Sequence, residues 1–198
     1  VGPKRSAKEA ADAVKRLLGD SGFSDRLDKA KDHAANAEIA MRAGDFVSAA
    51  NDFRMALALE ARNPTYRARY EEAAVRAREQ LAEGYFKQGR FEESMGDAVA
   101  AVQHYCLAAE QSASNADYAY QAARLLLYLK KDLHRAREMA LRAIKNRPGD
   151  ARSHELLGLI YMDAGLGQSA RREMETAHGL DPGNDGIKEH LRVARKMA

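Results

Sequence analysis

Two consecutive stretches of this chain, Asp117 to Asp150 and Ala151 to Asn184, carry matching residue kinds at matching places with a period of 34 residues. In the later stretch Leu157-Gly158, Tyr161, Gly165, Ala170, Met174, Ala177 and Pro182 follow one another at fixed spacings. In the earlier one Tyr120 stands opposite His154, and Ala123, Leu127, Ala136, Ala140, Ala143 and Pro148 keep the order, with Lys131 replacing the turn glycine and Arg124 the small residue. A period of this length restricts the fold severely. Each repeat is one supersecondary unit that cannot bury its apolar face alone, so the copies must stack.

Inside each period the apolar residues recur three and four apart, the helical spacing, and no alternating β-branched run competes with it. Proline occurs only at Pro3, Pro64, Pro148 and Pro182. Ala30 to Asn63 forms a third, degenerate copy with His33, Ala40, Gly44, Ala49, Phe53 and Ala56, and with Pro64 arriving late. Ala49, Ala136 and Ala170 each follow Gly44, Lys131 and Gly165 at the same short distance. There two antiparallel helices joined by a tight turn cross closely, and only a small side chain fits. Phe53 and Met174, one turn later, are placed to plug the gap between neighbouring pairs.

The order Leu-Gly, Tyr, Gly, Ala, large apolar, Ala, Pro resembles the tetratricopeptide repeat, in which His154 takes the place most often held by Trp. The resemblance implies an all-α, right-handed α-α superhelix of about four helix pairs, with an extra N-terminal helix and a C-terminal capping helix. The expected organisation is an N-terminal helix and linker over 1–24 and a repeat domain over 25–198. Its repeats lie near 30–63, 64–116, 117–150 and 151–184, and its cap over 185–198. A weaker resemblance connects Lys29 to Leu59, Tyr70-Glu71-Glu72 and the long second unit with repeat regions that follow a J domain in some bacterial proteins. The His-Pro-Asp motif of the J domain itself does not occur in this sequence.

The second unit, Pro64 to Ala116, is too long for one repeat and too short for two. Gly96 to Ala101 has the turn-to-alanine spacing, and Ala101, Tyr105 and Ala108 follow in repeat order, so the motif of this pair begins near Ala82. The excess over one repeat is about five helical turns at about 3.6 residues per turn, which keeps the buried face in phase. An uninterrupted helix from Tyr66 to Met95, about 45 Å long, is the expectation. A break at Gly89, where Gly89-Arg90 resembles a repeat turn, is the alternative.

At the N-terminal end Ser6 and Glu9 have capping-box spacing, followed by the stripe Ala10, Val14, Leu17 and Leu18 up to Gly19 and a turn-rich break over Asp20 to Ser24. At the other end Ile187, Leu191 and Ala194 form the stripe of a cap whose outer face carries Lys188, Arg192, Arg195 and Lys196.

The remaining composition bounds function. Thirty-two basic and 29 acidic residues are interspersed for a net charge of +3, which argues against nucleic-acid binding. The single Cys106 has no partner for an internal disulfide, and a cytoplasmic location is expected. No run approaches the roughly 20 apolar residues of a membrane span. The start at Val1 points to a fragment of a larger protein. No phosphate loop, nucleophile elbow or zinc motif occurs, so no catalytic residue, metal ligand or cofactor is assigned and no enzyme is expected. His33 and His154, at equivalent places, are read as packing between helices; His104 and Cys106 lack the spacing of a zinc site; His134, His178 and His190 are read as surface residues.

Members of the resembled family bind a peptide or helix in the groove lined by the first helices of successive pairs. The register places Lys31, Ala34, Glu38 and Met41 there in the first pair and Phe86 and Arg90 in the second. The partner-binding set is expected in the last two repeats: Tyr118, Gln121, Leu125 and Tyr128, then Arg152, Glu155, Leu159 and Met162. Some members hold a partner's C-terminal carboxylate with Lys, Asn and Arg, but Ala34 and Glu38 at the corresponding places cannot. The expected partner is a protein or peptide. A structural role through self-association is the alternative, and the oligomeric state is left open.

Overall fold

The computed structural model describes the backbone of residues 7–198 and the side chains from residue 22 onward. Among the described residues all regular structure is helical: α1 (Ala7–Ala43), α2 (Phe46–Leu59), α3 (Pro64–Ser94), α4 (Ala98–Gln111), α5 (Ala116–Tyr128), α6 (Leu133–Asn146), α7 (Ala151–Asp163), α8 (Gly167–Leu180) and α9 (Asp185–Met197). The chain divides into two compact units, Val1–Gln80 and Leu81–Ala198, and the division falls inside α3. The boundary lies within the span 25–198 expected as the repeat domain. Ala73, in the first half of α3, belongs to a core cluster of the first unit, and Gly89, in its second half, lies against the Tyr105 ring of the second.

In the first unit α1 and α2 form a pair. Ala49 is fully buried where they meet, and Ala37, Phe53 and Ala73 complete a small core with Tyr70 and Met41 at its edge. The Gly44 turn has φ +76°, a conformation that costs an L side chain roughly 1–2 kcal/mol and glycine little. Gln80 closes this turn from α3, its Oε1 accepting from the Phe46 N–H at 3.0 Å and its Nε2 donating to the Gly44 carbonyl at 3.1 Å. One sequence expectation changes here. The break over Asp20 to Ser24 is absent, because α1 runs through it. That stretch holds no proline, and one glycine costs only about 1 kcal/mol against helical sequence on both sides. The capping box at Ser6 and the stripe Ala10, Val14, Leu17 and Leu18 lie outside the described side chains.

α3 is one helix from Pro64 to Ser94, as the phase argument expected, with no break at Gly89. Gly89 is buried, and a Cβ there would lie 2.9 Å from the Tyr105 ring and 3.2 Å from the Ala101 carbonyl. It is a close-approach glycine between α3 and α4, not a turn.

The second unit stacks the α3–α4, α5–α6 and α7–α8 pairs and ends on α9. Ala101, Ala136 and Ala170, each fully buried, mark the crossings within pairs. Tyr105, Leu126, Leu157 and Ile160 fill the space between them. Asp97, Asn115 and Asn184 cap α4, α5 and α9 by accepting backbone N–H groups near 3.0 Å. α9 covers the last layer with Ile187, Leu191 and Ala194, all buried, and leaves Lys188, Arg192 and Arg195 outside, as its stripe predicted.

Candidate interaction site

The second half of α3, then α5 and α7, are the first helices of the pairs in the second unit. Between α3 and α5 they leave a cleft of about 560 Å³ lined by Phe86, Arg90, Glu93, Tyr105, Gln121 and Arg124. Its apolar wall is aromatic. The Phe86 ring lies 5.4 Å from that of Tyr105 and 4.7 Å from that of Tyr118, spacings at which tilted rings attract beyond the area they bury.

The polar wall centres on Glu93. One carboxylate oxygen accepts from Arg124 and the other from the Tyr105 hydroxyl at 2.7 Å, while Arg124 Nε donates to Gln121 at 2.7 Å. Partial burial pushes the Glu93 carboxyl up, but these two donors outweigh it and hold the group below its ordinary value. The Tyr105 phenol is driven above its ordinary value by burial and by the anion it donates to. With Glu93 engaged by Arg124 and Tyr105, the cleft keeps a positive balance. Arg90 is exposed and forms no ion pair among the described residues. Such a wall can take a hydrogen-bond acceptor or carboxylate beside an apolar group.

No family model matches the sequence, and no curated protein does. Solved structures do match. The Arabidopsis OM64 TPR domain superposes with TM-score 0.56 at 19% identity, over 60% of this chain and 98% of that one. The first TPR of Spaghetti (RPAP3), bound to an HSP90 peptide, gives TM-score 0.56 at 18% identity over 60% of this chain and 93% of its own. MamA gives TM-score 0.55 at 16% identity over 85% of this chain and 82% of its own. The chain has the tetratricopeptide-repeat fold.

In this tetratricopeptide-repeat chain the eight expected groove residues part company. Gln121 lines the cleft, and Tyr118 stands beside it against Phe86. Arg152 lies over the Tyr120 ring at 5.5 Å and pairs with Asp150 at 3.1 Å. Tyr128 is 74% exposed. Leu125 is only 2% exposed and belongs to the core, so it is corrected from a contact residue to a packing residue. Leu159 and Met162 pack on the cluster of Ala170, Met174 and Leu191, and Glu155 meets His190 of α9 at 2.8 Å. These three are therefore turned toward the covering end of the repeat array, because α9 stands where a further pair would begin.

Glu93, Tyr105 and Arg124 were missed. Arg124 registered only as a departure from the small residue of the repeat, and its partner Glu93 is 31 residues away. The available signal was an acid in the last turn of α3 within one repeat period of that unusual arginine.

Three of the histidines join neighbouring helices. His33 meets Asp52 at 2.9 Å and His154 meets Glu173 at 2.9 Å, each joining the two helices of its pair, as their equivalent places implied. His104 bonds Glu92 at 2.7 Å and stacks on Tyr85. His178 and His190 are half-buried rather than surface residues, His190 through its bond to Glu155 of α7. Among the described residues no group of three or more His, Cys, Asp or Glu is placed to hold a metal, and no helix is long and apolar enough to cross a membrane.

Proposed function

We propose that this chain is a non-catalytic protein-interaction module that takes a segment of a partner protein along α3, α5 and α7 of its second unit. The observation that carries the reading is the open cleft in which Arg90 is unpaired beside the Phe86–Tyr118 aromatic wall. Arginine and aromatic side chains in such a setting are the residues most often responsible for binding energy. The first TPR of RPAP3, similar in fold, is bound to the HSP90 peptide SRMEEVD, which supports a peptide as the class of ligand. A co-chaperone-like or regulatory role within a larger bacterial protein, in the cytoplasm, extends the reading and rests on the weaker J-domain-protein resemblance and on the lone Cys106.

The test is an affinity pull-down with the double variant Arg90→Glu, Gln121→Ala, its fold checked by circular dichroism. Partners recovered by the unmodified chain should be lost, whereas Tyr128→Ala should keep them. Recovery of the same partners in the same yield by the double variant would refute the cleft as the binding site. Assembly through self-association is the second reading, favoured by Phe91, Met95 and Val99, which stand 60%, 71% and 45% exposed around the α3–α4 turn. Sedimentation velocity decides it: a concentration-dependent dimer that Met95→Glu dissolves would favour assembly.

A further inference from the structure

We propose that a niche at the edge of α6 and α7 is a second recognition site, taking an aliphatic side chain followed by an acidic residue of a partner protein. The niche is separate from the cleft between α3 and α5. Leu133 from the start of α6, Ile160 and Ala164 from the end of α7, and Leu166 before α8 form its walls, with Arg137 and His134 at its rim. Its volume is about 170 Å³. That is below the roughly 300–1,000 Å³ of small-molecule sites and suits one apolar side chain. Leu166 is 48% exposed, so the walls are open to an incoming group.

Arg137 supplies the second half of the specificity. Its guanidinium forms no hydrogen bond or ion pair among the described residues, and although Nε is buried, the two terminal nitrogens are not and can be reached from outside. The neighbouring carboxylates are directed elsewhere: Glu138 lies 3.6 Å from His134, and Asp163 lies 3.7 Å from Lys130. A guanidinium left over at the lip of an apolar niche complements a carboxylate, and Arg is the side chain best shaped to hold one through paired N–H donors. An aliphatic residue next to Glu or Asp on a partner segment carries both kinds of group.

The experiment is an amide NMR titration of the full, ¹⁵N-labelled chain with the capped peptide Ac-Ala-Leu-Glu-Ala-NH2, its Gln-for-Glu analogue and its Ala-for-Leu analogue. The first peptide should shift amides of Leu133 to Arg137 and Ile160 to Leu166. The Gln analogue should bind about tenfold more weakly, the worth of one charge-assisted contact. The Ala analogue should not bind at saturable concentration. Arg137→Gln should erase the difference between the Glu and Gln peptides while keeping the dependence on Leu, and Arg137→Lys should keep part of it. Equal binding of the Glu and Gln peptides by the unmodified chain, or shifts confined to residues of the α3–α5 cleft, would overturn the proposal without any variant having to fold. Arg90→Glu should leave this titration unchanged, so failure here and failure of the cleft reading are separate results.

Discussion

At the scale of single residues, packing within each pair follows a rule of complementary volumes. Ala37, Gly89, Arg124 and Gly158 hold one repeat position, and Phe53, Tyr105, Ala140 and Met174 follow each of them by 16 residues. Where the first is small the second is large, and the one large first residue, Arg124, is matched by an alanine. Cores filled by alternating large and small residues reach native density without strain. Gly89→Ala is therefore expected to destabilise by about 1–3 kcal/mol in urea melts, since its Cβ would press on the buried Tyr105 ring and the Ala101 backbone. Gly158→Ala should cost less, because the atoms its Cβ would meet belong to the flexible Met174 side chain. Gly84→Ala, with nothing within 4 Å, should stabilise by about 0.5–1 kcal/mol. A Gly89→Ala melt no worse than that of Gly84→Ala would contradict the close approach. Glu93 adds a pH prediction. Its carboxyl is held below the ordinary value, so its contribution to stability is complete above the unfolded value of about 4.3 and is lost as pH falls through the lower folded value. The stability advantage of the unmodified chain over Glu93→Gln should shrink between about pH 6 and about pH 3. A constant difference across that range would show that the carboxylate is not selectively held.

Helices and turns show where a consensus position misleads. The turn glycines Gly44, Gly96 and Gly165 have φ of 76°, 84° and 73°. In the third repeat Lys131 occupies the glycine place, yet the left-handed residues are its neighbours, Lys130 at φ 50° and Asp132 at φ 44°. Asp132 tolerates this as the N-cap of α6, accepting from the Arg135 N–H at 3.0 Å, while the Lys130 side chain caps no backbone group and makes only an exposed pair with Asp163 at 3.7 Å. Lys130→Gly should thus raise stability by about 1 kcal/mol in thermal melts, and Lys131→Gly should not. The reverse order would mean that the turn follows the consensus after all. α3 makes the same point on a longer scale. Its phase was legible from the five-turn excess, but its continuity through Gly89 depends on α4 lying against that glycine.

For the whole molecule, the two compact units divide inside α3, so one helix serves two cores. The second unit carries its own pairs, its own cap and both sites discussed above. Expressed alone, residues 81–198 should melt cooperatively and retain the peptide titration at Leu133 to Leu166. A non-cooperative melt would show that the core of the first unit is needed. The helix-pair architecture, the small residues at each crossing and the inter-helix histidines were determined by the 34-residue period, and the cap stripe of α9 by its helical spacing, because such patterns state which side of its own helix each residue occupies. They do not state what lies opposite. Leu125 and Tyr128 share a helix and the groove set, yet one is 2% and the other 74% exposed. Glu155 is occupied by a histidine 35 residues further on, and Arg137 is left without an acceptor. Exposure and partnering depend on segments distant along the chain. They were settled only when the helices packed, and they are what separate a cleft that can bind from a face that is already covered.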